Sequence, residues 1–120
     1  LMQRAPGYRL SLDETHHIHK LDAPSGTAIT LAETILSERP ELHGWELTEE
    51  PKEGILPIIA HREGEVPGTH TVTYTSSVDR IILTHEAFGR QGFALGAVIA
   101  AEYATSHRGW LTMDDLLQQD

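Results

Sequence analysis

A change of hydrophobic period across one polar loop narrows the folds open to this chain. From Tyr8 to Glu14 the residues alternate, with Tyr8, Leu10 and Leu12 on one side and Arg9, Ser11 and Asp13 on the other. That is the period of two of a strand half exposed to water. From Thr27 the period becomes helical: Ala28, Leu31, Ala32 and Ile35 share one face, with Ile29 and Leu36 beside it. The helix should end before Pro40. Between the two elements, Thr15 to Gly26 is a polar loop holding three histidines, a lysine, an aspartate and Pro24.

The rest of the chain extends this pattern. Glu41 to Gly54 is polar and acid-rich and reads as a surface excursion. Ile55 to Ala60 is a short apolar run whose Pro57 suits an edge strand or a bulge. His61 to His70, with Gly64, Pro67 and Gly68, reads as a loop. Thr71 to Thr75 and Ile81 to His85 should pair as an antiparallel hairpin around a turn at Ser77 to Asp79. Phe93 to Ala104 is apolar on nearly every face and should be a helix buried on more than one side. Trp110 to Leu117 should hold a short final helix capped by Thr112 or Asp114. The order is that of an α+β domain: a mixed, largely antiparallel four-stranded sheet with helices 28–36 and 93–104 on one face. The side carrying Thr71, Thr73 and Thr75 would then be uncovered, open to packing against a second copy.

Composition sets the outer limits. At 120 residues the chain has room for one ordinary domain, 1–120. Only 6% of it is aromatic, so the core must rest on aliphatic side chains and alanine. A formal charge of −9 without any Lys/Arg-rich run argues against a nucleic-acid partner. There is no cysteine, which removes disulfide scaffolds, thiolate metal sites and cysteine nucleophiles. No apolar run approaches the roughly 20 residues of a membrane span, and no signal-peptide pattern is present. The expected setting is soluble and cytoplasmic. The sequence opens at Leu1 without methionine, and Leu1 to Ala5 read as the last turn of a helix stopped by Pro6 and Gly7, as expected of a piece of a longer chain.

The histidine loop concentrates the chemistry. Ser25, Gly26 and Thr27 lie where a helix begins, so their free N–H groups and the helix dipole form an anion site, and Gly26 permits close approach to the backbone. Lys20 adds a positive charge. His16 and His17, adjacent in the chain, point to different sides, so one can act as an acid near neutral pH while the other holds a ligand. Plainer readings stand beside these: Ser-Gly-Thr as a simple N-cap, Lys20 as a solvated charge. A metal is also possible for His16, His17 and His19, but no further ligand stands at a recognisable zinc spacing, so no metal is expected.

The run Glu14-x-His16-His17-x-x-Lys20-x-Asp22-x-Pro24-Ser25-Gly26-Thr27-Ala28 resembles the signature of dihydrodipicolinate reductase, also called 4-hydroxy-tetrahydrodipicolinate reductase, of lysine and diaminopimelate biosynthesis. Arg62-x-Gly64-x-x-x-Gly68-x-His70 resembles that family's Gly-rich strand connection. His85-x-Ala87-x-x-Arg90-x-x-Phe93-Ala94-x-Gly96-Ala97 resembles the segment entering its last long helix. The resemblance covers almost the whole chain and implies the C-terminal, substrate-binding and tetramerisation domain. It implies His16 as the general acid and Lys20 as a second essential residue pairing with a substrate carboxylate. It further implies His17 as a carboxylate contact, Ser25, Gly26 and Thr27 as the cradle for the other carboxylate, and Arg90 and Phe93 near the cofactor, NADPH or NADH. His19 and Asp22 match without a catalytic role, Asp22 being expected to order the loop by capping or by pairing with Lys20. The family's N-terminal Rossmann domain has no counterpart here, because Gly64 and Gly68 precede a strand and not a helix. Two other readings compete: a non-catalytic dicarboxylate-binding or assembly module, and a histidine-metal hydrolase.

Overall fold

The structure, a computed structural model, describes residues 2–118. The chain divides into two compact units, Leu1–Phe88 and Gly89–Asp120.

The first unit opens with a single 3-10 turn, Met2–Arg4, followed by strand β1 (Arg9–His16), helix α1 (Gly26–Glu38), and strands β2 (Gly44–Leu47), β3 (Ile55–Arg62), β4 (Gly68–Thr75) and β5 (Arg80–Ala87). The helical turn expected from Leu1 thus begins at Met2, and Leu1 lies outside the described residues. The sheet is mixed and has five strands in the order β2-β3-β1-β4-β5. The β2–β3 and β3–β1 pairs are parallel, while β1–β4 and β4–β5 are antiparallel. The expected hairpin is the β4–β5 pair.

Two expectations change. The fifth strand, β2, lies inside the stretch read as a surface excursion; its Trp45 packs against the core. Because β2 pairs along its outer side, β3 is an interior strand despite Pro57. The carbonyl of Ile58 accepts from Thr48 N–H at 3.0 Å beside β2, and alternate strand residues bond to opposite neighbours. Pro57 therefore turns its missing donor toward β1, whose ladder begins one residue later at Leu12↔Ile58. The proline sits where no ladder bond is lost.

Helix α1 starts at Ser25, whose Oγ accepts from Ala28 N–H at 3.1 Å, satisfying one of the first-turn donors. Ala28 and Ala32 are fully buried, as are Leu12, Leu56 and Ile58 on the strands below them. Small residues on the helix let it lie close to β1 and β3, and each buried Leu or Ile contributes about 1.5–3 kcal/mol. Leu10, Leu31, Ile35, Leu42 and Val72 close the edges of this core. The opposite sheet face, with Thr71, Thr73, Thr75 and Thr84, carries no helix of this unit; Thr71 and Thr84 bond across it at 3.1 Å.

The second unit holds helices α2 (Gln91–Ser106) and α3 (Met113–Leu117). Thr112 caps α3 in a reciprocal box with Asp115. The expectation that α2 is buried on several sides fails: none of its residues is buried, and Phe93, Leu95, Val98 and Ile99 are exposed. Within its own unit that apolar surface packs only in part, against α3.

Candidate functional site

The register of three strands gathers the site. On β1, Glu14 and His16 point to the helix-bearing face, two residues apart. Pairing places His70 of β4 opposite Glu14 and Arg62 of β3 opposite His16. All four side chains meet beneath the loop that leads to α1.

Glu14 is at the centre and is fully buried. Its Oε1 accepts from Ser25 N–H at 3.3 Å and lies 3.0 Å from Arg62 Nη1. Its Oε2 lies 2.7 Å from His16 Nδ1, off the angle of a well-formed hydrogen bond. Burial alone would raise the Glu14 pKa, but Ser25, Arg62 and His16 together stabilise the anion and hold it below the usual carboxylate value. Glu14 is ionised at neutral pH.

His16 and His70 are both buried, their rings meeting edge to face with centroids 5.1 Å apart. Burial lowers the His16 pKa, and the charges of Lys20 and Arg62 add to that, against the opposing pull of Glu14. Burial also lowers His70, helped by His16. His70 Nε2 lies 3.2 Å from Ser25 Oγ. Gly68 stands beside His16 Nε2, and a Cβ there would be 3.1 Å from that nitrogen. A side chain would crowd the ring.

Arg62 ties the loop to this cluster. Besides Glu14, its guanidinium donates to the carbonyls of Lys20 at 3.3 Å, His61 at 2.7 Å and Asp22 at 2.5 Å. Lys20 is half-buried, its Nζ 2.9 Å from Asp22 Oδ1; that pair holds Asp22 below its ordinary pKa and is one of the two loop-ordering roles expected of it. The loop also continues the β1–β3 pairing, with Glu63 N–H donating to His16 carbonyl at 2.8 Å and Ile18 N–H to Gly64 carbonyl at 3.1 Å.

The remaining residues singled out from the sequence take distinct places. Gly26 and Thr27 are exposed at the start of α1, and nothing lies within 4 Å of a Cβ built on Gly26. Ser25 is buried, with its N–H on Glu14 and its Oγ on Ala28 and His70, so the open part of the cradle is Gly26 and Thr27. His17 is half-buried and its Nδ1 has no partner among the described residues. His19 is exposed and pairs with Glu65 at 2.9 Å. Arg90 occupies the N-cap position of α2 without a capping side-chain bond, and Phe93 lies in the first turn; both are exposed residues of the second unit. Sequence reasoning gave no role to Glu14, Arg62 or His70, although all three stood in its motifs.

Donor atoms of Glu14, His16 and His70 lie within 4.8 Å of one another. Arg62 already holds Glu14, however, and with Lys20 it places two positive charges beside the cluster. A divalent cation would meet repulsion there; an anion would be drawn in. The arrangement offers an ammonium, an open helix N-terminus and a titratable imidazole held by a carboxylate, the equipment to bind a dianion and transfer one proton.

The family model for the dihydrodipicolinate reductase C-terminus matches residues 1–117. A 4-hydroxy-tetrahydrodipicolinate reductase of Christiangramia forsetii is 56% identical over 117 residues, covering 98% of this chain and 48% of the relative. Another, from Archaeoglobus fulgidus, is 42% identical over 113 residues, covering 88% of this chain and 44% of the relative. The chain thus spans about half the length of these relatives. Among solved structures, a dipicolinate-bound dihydrodipicolinate reductase from Paenisporosarcina sp. TG-14 superposes with a TM-score of 0.60 at 28% identity, over 75% of this chain and 37% of that one. On its sequence, its sheet and the residues gathered at the start of α1, the chain belongs to the dihydrodipicolinate reductase family and corresponds to its C-terminal part.

Proposed function

We propose that this chain is the substrate-binding and catalytic domain of a 4-hydroxy-tetrahydrodipicolinate reductase, and that a longer polypeptide containing it reduces this dicarboxylate in the cytoplasm on the route to lysine and diaminopimelate. The observation that carries the reading is that His16 and the start of α1 lie beside two cations, Lys20 and Arg62, in a chain whose net charge is −9. A dianion needs such a local site to be attracted at all. One substrate carboxylate pairs with Lys20 and His17; the other sits on the N–H groups of Gly26 and Thr27, with Ser25 holding the helix start in shape.

The dianion also arms the acid. In the free protein, burial and neighbouring cations keep His16 below its ordinary pKa. A bound dianion offsets Lys20 and Arg62, so the imidazole takes up its proton when substrate is present and returns it to the atom left electron-rich by reduction. The hydride is supplied by NADH or NADPH. This chain's glycines do not form a dinucleotide cradle, since Gly64 and Gly68 lead into strand β4; Arg90 and Phe93 are the proposed cofactor contacts here, with the remainder in an N-terminal nucleotide-binding domain. Four copies assemble through the threonine face of the sheet, where short side chains allow sheets to pack about 10 Å apart.

The test uses the full-length protein. It should oxidise NADH or NADPH with dihydrodipicolinate, pyridine-2,6-dicarboxylate should inhibit competitively, and Lys20→Ala should weaken that inhibitor by at least tenfold, about 1.4 kcal/mol. No turnover with either nucleotide would reject the reductase; dicarboxylate binding without turnover would identify a non-catalytic binding module instead.

A further inference from the structure

Glu14 has no part in the proton transfer or in the carboxylate contacts just described, yet it is the most deeply buried polar side chain among the described residues. A lone buried carboxylate is costly and persists only when its environment holds it. Here Arg62 and Ser25 N–H grip one oxygen, leaving the other 2.7 Å from His16 Nδ1, and neither of those two atoms is hydrogen-bonded to any other group among the described residues, so each has only the other to turn to. The anchor points belong to rigid elements: Arg62 to β3 and Ser25 to the cap of α1.

We propose that Glu14 is the positioning residue of His16, fixing the ring with its Nδ1–H toward the carboxylate and reserving Nε2, beside Gly68, for proton exchange. The inference rests on the reductase reading for its catalytic consequence, but the Glu14–His16 link exists independently of it. An imidazole clamped at one nitrogen has one tautomer and one orientation, which is what a general acid requires. Gly68 fits this role, because a Cβ at that position would press on Nε2.

The charge of Glu14 is equally part of the role. His16 faces Arg62 from β3, His70 from β4 and Lys20 from the loop, with His85 of β5 paired opposite His70 and Asp22 bound to Lys20. Glu14 is the buried anion in this group and offsets the cations that would otherwise keep His16 deprotonated.

The experiment measures hydrogen–deuterium exchange at the Cε1 of His16 against pH in the full-length protein, resolved from His17 and His19 by peptide fragmentation and mass spectrometry. This titrates one histidine with or without turnover. Glu14→Gln should lower the His16 midpoint by about one pH unit, and Glu14→Asp, which keeps the charge but withdraws it by a methylene, by about half as much. The high-pH limb of kcat should move to lower pH by the same amounts. A midpoint within about 0.2 units of wild type, in whichever variant retains the native circular dichroism spectrum, overturns the proposal. A wild-type protein without reductase activity would instead reject the reductase reading, while the exchange midpoints still decide the link.

Discussion

Replacing Arg62 by methionine tests how the buried carboxylate is held. The substitution keeps much of the side-chain bulk and removes the ion pair to Glu14 together with bonds to three backbone carbonyls. Stripping one partner from a buried pair costs about 3–5 kcal/mol. Arg62 keeps 20% side-chain exposure, so water can replace part of what is lost, and Glu14 can escape the rest by protonating. We expect a loss of roughly 2–4 kcal/mol at pH 7. The pH dependence identifies the cause. In the wild type the Glu14 pKa is lowered on folding, so its contribution is present above the unfolded value near 4.5 and fades as pH falls through the folded value. In the variant burial should raise the folded pKa above that reference, a penalty present at neutral pH and absent in acid. The difference between the two proteins should therefore begin to narrow above pH 4.5, as pH falls through the variant's raised folded value, and go on narrowing through the wild type's lowered one, leaving the share of the carbonyl bonds. Urea denaturation at pH 7 and about pH 4 measures it, and a Glu14→Gln background should remove about 2 kcal/mol of the cost at pH 7. A loss under about 1 kcal/mol at pH 7, or one equal at both pH values, would refute the reasoning.

In the full-length protein His16→Gln should lower kcat by roughly 10²–10⁴-fold with little change in KM, because an acid acts in the transition state and not in binding. Steady-state rates within about threefold of wild type would remove His16 from that role. For assembly, these 120 residues should sediment as a tetramer, about four times 13.3 kDa, and Thr73→Arg should break it by placing like charges across a close sheet contact. A variant that stays tetrameric at tens of micromolar would place the interface on another surface.

Elements whose pattern is local could be read directly. Alternation at Tyr8 to Glu14, the helical stripe of Ala28 to Ile35 and the paired β-prone runs after Thr71 each reflect side chains a few residues apart, and each appears as β1, α1 and the β4–β5 hairpin. The loop residues His16, Lys20, Gly26 and Thr27 were legible for the same reason, lying within one continuous segment. What depended on distant pairing was not. Strand β2 is four residues in an acid-rich stretch, and only its parallel bond to β3 makes Pro57 interior. The composition of α2 could not reveal how little of its apolar surface its own unit buries. Glu14, Arg62 and His70 come from three strands and face one another because of register: a slip of one residue would send every side chain of that strand to the other face. Residue identity thus decided which groups were available, while strand pairing decided that a buried carboxylate, a guanidinium and two imidazoles share one site.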